Sequence, residues 1–172
     1  NEANPIGLRT DVAISGEDLR LVTLVPNNPN KDFLHVRRGC LVENLSFAGV
    51  SHATDHSRCG AVAFPPTENA DKAVSGYIAL GPANEGPSGR WRSPYIRNCT
   101  NFMTGSIGMR INGDHANAAF TGINSLGQDL KSMVCDSFTQ YNEAGIGVSI
   151  TNDGYAQLVS IFTIGCEKGI YV

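Results

Sequence analysis

A chain of 172 residues that is 41% apolar and 17% charged carries enough apolar side chain for one buried core, and normally forms one domain. Its formal net charge of -3 supplies no cationic field for nucleic acid, and no apolar run approaches the roughly 18 residues of a membrane span. The opening "NEANPIGLRT" has neither the basic n-region nor the apolar h-region of a signal peptide, and it begins without Met, so a piece of a longer protein is expected.

The first forty residues read as irregular early coils. "LRLVTLV" (19–25) and "FLHV" (33–36) are predicted strands, separated by the turn cluster "PNNPNKD" (26–32). "CLVENLSFAG" (40–49) follows, with Asn44 between apolar positions. "SHATDHSRC" then brings together His52, His56 and Cys59. Two His four residues apart plus a Cys are weak zinc candidates if that stretch is helical, but no fourth ligand is evident, and a surface loop is the plainer reading. No cofactor is implied. From 65 to 94 the chain is rich in Pro and Gly around one strand, "GYIAL" (76–80), and is expected to leave the main body as an insertion. Within "GRWRSPYIR", Arg90, Trp91, Arg92 and Tyr95 mix guanidinium and aromatic groups. Such a patch suits a subunit interface or a ligand surface.

From Tyr95 onward the chain repeats itself. A shift of about 39 residues places Phe102 on Tyr141, Ile107 on Ile146 and Ile111 on Ile150. A shift of about 24 places Phe138 on Phe162, Glu143 on Glu167, Gly145 on Gly169 and Val148 on Val172. The difference fits the small, polar segment 114–131, read as a second insertion with a short helix near 125–130. Short β-branched runs bounded by Gly, Asn and Asp exclude helical repeats, and the unit is too short for a four-stranded propeller blade. The expectation is an all-β, right-handed parallel β-helix with coils of about 24 residues and loop insertions, one domain spanning 1–172.

In that arrangement Ile107, Ile146 and Ile170 form one inward column, with Met109, Val148 and Val172 beside it. Phe138 and Phe162 form one aromatic ladder, Phe102 and Tyr141 another. Asn44 and Asn98 make an Asn ladder at a turn, with Asp136 or Ser137 next in line, and Gly145 and Gly169 take left-handed turn positions. The two N-x-[ST] sequons at Asn44 and Asn98 therefore read as structural. Cys99, Cys135 and Cys166 lie in apolar or alternating runs and read as small buried hydrophobes. Phosphate-binding loops, nucleophile elbows and zinc-protease motifs are missing from the sequence. Glu143 and Glu167, one coil apart, match the carboxyl spacing of a retaining glycosidase, and Asp136 and Asp153 are the other acid–base candidates. A solvated polar turn is the plainer reading of the same carboxylates.

"SPYIRNCTNFMTGSIGMRINGDHA", "LKSMVCDSFTQYNEAGIGVSITNDGYAQLVSIFTI" and the closing "CEKGIYV" resemble a segment of the large virion structural proteins of contractile-tailed phages of marine cyanobacteria. Those proteins are described as tail-fibre, baseplate or VrlC-like. The resemblance covers about residues 93–172. It implies a non-enzymatic virion component, assembled in the host cytoplasm, that acts in tail assembly or host attachment, with other virion proteins or host-surface glycans as partners. A homo-oligomer, with a trimer as one form, is expected, with no nucleic acid partner and no membrane insertion. The competing expectation is a polysaccharide-degrading β-helix, a lyase or glycoside hydrolase. The last strand, "GIYV", has no polar cap after it, so another subunit or further sequence is expected to cover it.

Overall fold

The computed structural model describes residues 6–9, 11–27, 32–37, 39–48, 93–112, 132–152 and 154–172, together with the main chain of 76–80. The structure is all-β, and no helix occurs among the described residues. Four short strands come first: β1 (Ile6–Gly7), β2 (Ala13–Ser15), β3 (Thr23–Leu24) and β4 (Leu34–Val36). Longer ones follow: β5 (Leu41–Ala48), β6 (Gly76–Leu80), β7 (Tyr95–Thr104), β8 (Ile107–Asn112), β9 (Ser132–Glu143), β10 (Ile146–Thr151), β11 (Tyr155–Ile164) and β12 (Lys168–Tyr171). Only Thr23–Leu24 of the run 19–25 is strand. Segment 114–131, Asp153 and the expected helix near 125–130 lie outside the described residues.

Every ladder between these strands is parallel. One six-stranded sheet has the order β1-β4-β6-β8-β10-β12. The other has the order β11-β9-β7-β5-β2, with β3 also paired to β5. From β4 to β12 each successive strand crosses to the opposite sheet and pairs there with the strand two before it. Parallel neighbours need such crossovers, and here each crossover is itself a strand of the other sheet. The "GYIAL" segment, expected inside an insertion, is a full member of the first sheet as β6, between β4 and β8.

Inward positions alternate along each long strand until a bend reverses the parity. In β7 these positions are Ile96, then Cys99, Asn101 and Met103; in β9 they are Met133, Cys135, then Phe138, Gln140 and Asn142, all buried. The reversal falls at Asn44, Asn98, Ser137 and Ser160, which occupy one register position on β5, β7, β9 and β11 and all take left-handed φ values, 56°, 48°, 55° and 51°. Asn tolerates this conformation because its short amide bonds locally. Here Asn98 Nδ2 donates to Asn44 Oδ1 at 2.6 Å. The expected Asn ladder is therefore present, and its third member is Ser137 rather than Asp136.

The register upholds part of the expected stacking and corrects the rest. Ile146 pairs with Ile107, Val148 with Met109 and Ile150 with Ile111, as the repeat implied. After β9, however, the repeat is shorter than the expected 24 residues, by one residue in β11 and by two in β12. Phe138 lies opposite Ile161, and Phe162 opposite Thr139. Phe138 is fully buried beside Phe47, while Phe162 is 60% exposed, so those two rings form no ladder. In β12 it is Lys168 that meets Ile146 and Ile170 that meets Val148. Sequence identity favoured the longer shift, but a one-residue slip turns every side chain to the other face, and burial decides the register. The left-handed turn position before β10 is Ala144, φ 54°, rather than Gly145. Gly145 is needed for a different reason: a Cβ there would overlap the Asn142 amide and the Ser106 carbonyl. Cys40, Cys99 and Cys135 are buried thiols, whereas Cys166 is only half-buried.

Candidate functional site

Outward residues of the second half of the β5, β7, β9 and β11 strands form columns along the stack. One column runs Ala48, Phe102, Tyr141, Ile164. The Phe102 and Tyr141 rings stack at 5.1 Å with 6° between their planes, as their sequence positions implied. They remain 51% and 40% exposed, and Ile164 is 44% exposed. Apolar groups of this size standing in one line on a surface mark interaction sites more often than single exposed residues do.

Beside this column is a groove of about 620 Å³ lined by Phe102, Met103, Thr104, Tyr141, Asn142, Glu143, Ile164 and Gly165. Three consecutive strands of one sheet supply its wall, so its lining repeats once per strand, at about 4.8 Å. Glu143 is the sole charged side chain among those lining residues, exposed at the end of β9 in register with Thr104. Its carbonyl accepts from the Gly105 N–H at 2.8 Å. The turn that carries it is held from inside by Asn142. The Asn142 Nδ2 donates to the carbonyls of Ser106 at 2.5 Å and Ile146 at 2.8 Å, and its Oδ1 accepts from Ser106 N–H at 3.4 Å. At Gly165, φ 67°, an added side chain would meet nothing within 4 Å, which keeps this part of the groove open.

The other sequence candidates do not converge on the groove. Glu143 is in register with Cys166, through an isolated bridge, and not with Glu167. Glu167 is exposed, donates its N–H to the Gly145 carbonyl at 2.9 Å, and is not part of the groove lining. Asp136 lies on the other half of β9, beyond the Ser137 bend, where it accepts from Ser137 Oγ at 2.9 Å and sits opposite Arg97. Tyr95 is half-buried at the start of β7, with the Arg97 guanidinium 5.9 Å from its ring centre. Arg97 Nε in turn donates to Glu43 Oε2 at 2.5 Å. That bond holds the Glu43 carboxyl below the usual carboxylate range and raises Arg97. Arg90, Trp91, Arg92, Asp153, His52, His56 and Cys59 lie outside the described residues.

One cluster had no sequence signal. His35 Nε2 donates to Asp32 Oδ2 at 2.7 Å, and Arg110 Nη2 donates to the same oxygen. His35 and Arg110 flank Ala79 in one register column, so three strands far apart in sequence bring them together. All three side chains are at most 15% exposed. A carboxylate between two donors on a packed surface reads as a structural ion network that ties the start of β4 to β8. No group of His, Cys, Asp and Glu suited to a metal ion occurs among the described residues.

No known protein family, curated protein or solved structure matches the chain.

Proposed function

We propose that the chain is a right-handed parallel β-helix serving as a non-enzymatic structural module of a phage virion, in a tail fibre or baseplate, where it contributes to tail assembly or host-surface attachment. The alternation of consecutive strands between two parallel sheets supports the helix reading, and the right hand is that of nearly all parallel crossovers. The resemblance of residues 93–172 to cyanophage virion proteins supports the virion reading. Other virion proteins and host glycans are its partners, and it assembles as a homo-oligomer.

The observation that carries the attachment role is the groove: one stacked, exposed pair of aromatic side chains on neighbouring strands beside one carboxylate. Aromatic edges and apolar wall suit the C–H faces of a saccharide, and Glu143 can accept from its hydroxyls. Because the lining advances one strand at a time, an extended polysaccharide lies along the stack rather than across it. Direct binding of purified cyanobacterial surface polysaccharide tests this. Tyr141→Ala is expected to weaken binding about tenfold, equivalent to about 1.4 kcal/mol, without lowering the melting temperature. Unchanged affinity removes the groove from the proposal, and failure of antibodies to label the tails of purified virions removes the virion role.

A polysaccharide-degrading activity is the competing reading, favoured by the position of Glu143 in the groove. Release of reducing ends or unsaturated sugars, abolished by Glu143→Gln, would establish it.

A further inference from the structure

Behind the groove, one inward column changes character along the stack. It runs Phe47, Asn101, Gln140, Thr163, on successive strands of the second sheet. Asn101 and Gln140 are fully buried, and the oxygen and nitrogen of both amides have no hydrogen-bond partner within the protein. Native interiors rarely leave such atoms unpaired, because the amide gives up water on burial and gains nothing in return. Across the interior the facing sheet supplies glycines: a Cβ at Gly108 would overlap the Gln140 carbonyl oxygen, and one at Gly147 would overlap Thr163. The Gln140 and Thr163 side chains thus fill the space that these glycines leave.

Asn142, on the same strand as Gln140, shows the contrast. It is equally buried but reaches turn carbonyls and an N–H outside the ladders, and both ends of its amide are bonded. Asn101 and Gln140 lie mid-strand, where backbone groups serve the parallel ladders on each side. The main chain beside them is thus committed to the ladders, and a small partner from outside the chain would complete both amides. Two adjacent carboxamides offer two carbonyl acceptors and two NH2 donors. A metal cation would meet the NH2 groups unfavourably, and an anion would leave the carbonyls unpaired. Water donates and accepts, and suits both.

We infer that Asn101 and Gln140 hold ordered water on the inner face of β7 and β9, an internal hydration site that bridges the two neighbouring amides. Each amide precedes a groove ring in sequence, Asn101 before Phe102 and Gln140 before Tyr141, so the site lies directly beneath the stacked pair. The water bridge is a positioning device for the groove floor, whatever ligand the groove takes.

The test uses the full chain. A high-resolution crystal structure is expected to show density within hydrogen-bond distance of both amides, and oxygen-17 relaxation dispersion a water with long residence. Asn101→Leu and Gln140→Met singly are expected to lower the melting temperature. The double variant is expected to recover part of the loss and to release that long-lived water. Density showing the two amides bonded directly to each other, or an unchanged count of long-lived waters in the double variant, would overturn the inference. Should the variants not fold, the crystal structure of the unsubstituted chain decides alone.

Discussion

Cys99 and Cys135 show how far a single position depends on its surroundings. Burial pushes the Cys99 thiol up to about 12 and raises that of Cys135 as well, chiefly because a thiolate would lose its water. An unperturbed thiol ionises near 9.0. Between that pH and about 12 the unfolded chain releases the Cys99 proton while the folded chain retains it, so the folded state loses ground as pH rises. Stability is therefore unaffected by this group below about 9 and falls above it, by about 1.4 kcal/mol per pH unit for each such thiol. Urea unfolding at pH 8 and pH 10 should show the fall, and Cys99→Ala should make it shallower. An identical slope in the variant would mean that Cys99 is accessible to water. Glu43 runs the other way. Its carboxyl is held low by the Arg97 hydrogen bond, so that contribution is present at neutral pH and is lost as pH falls into the acid range. The Arg97 side chain is half exposed, so solvent screens the pair and its weight is small.

At the level of the strand, the left-handed bend is what gives each long element two differently aimed halves. Asn44, Asn98, Ser137 and Ser160 align because the inward parity must reverse at the same place on every strand for the core to remain continuous. The same logic sets the register of β11 on β9, and a pair of substitutions reads it out. Phe138→Ala should cost about 3–5 kcal/mol, as for a buried ring that leaves a cavity. Phe162→Ala should change stability by about 0.5 kcal/mol or less, as for an exposed residue. Equal losses at both positions, measured by chemical denaturation, would restore the longer repeat and reject the register described above.

Across the whole molecule, each strand touches mainly the strand before and after it in its own sheet, so stability is distributed as a chain of neighbour interfaces. Protection is then expected to follow position in the stack. In β8 all six residues are buried, whereas β12 has Ile170 54% exposed and β11 has half-buried inward residues at Leu158 and Ile161. Hydrogen exchange of the 172-residue chain should show the strands at both ends of the sheets, β1 to β3 and β11 with β12, opening first and β8 and β9 last. Uniform protection from end to end would indicate one cooperative unit instead. The groove spans β7, β9 and β11, so its lower rim lies on the strands expected to open first.

Period and residue type were enough to establish all-β structure, the stacking of Ile107, Ile146, Ile111 and Ile150, the Phe102–Tyr141 pair and the Asn44–Asn98 ladder. These follow from local rules: alternation selects a face, and Asn accepts a left-handed bend. The last repeat was misaligned because matching Phe138 with Phe162 and Glu143 with Glu167 weighs identity, while the fold weighs burial of Phe138 and Ile161 against one another. That correction separated the two glutamates and left Glu143 in the groove beside residues with which no motif associates it. The Asp32–His35–Arg110 cluster and the Asn101–Gln140 column were equally silent in sequence. Each joins residues from separate strands, and such adjacency exists only once parallel pairing brings distant segments to one strand spacing. The chain's own residues thus determined the repeating strand pattern and its bends. The tertiary register decided which side chains meet, because a shift of one residue exchanges inside for outside.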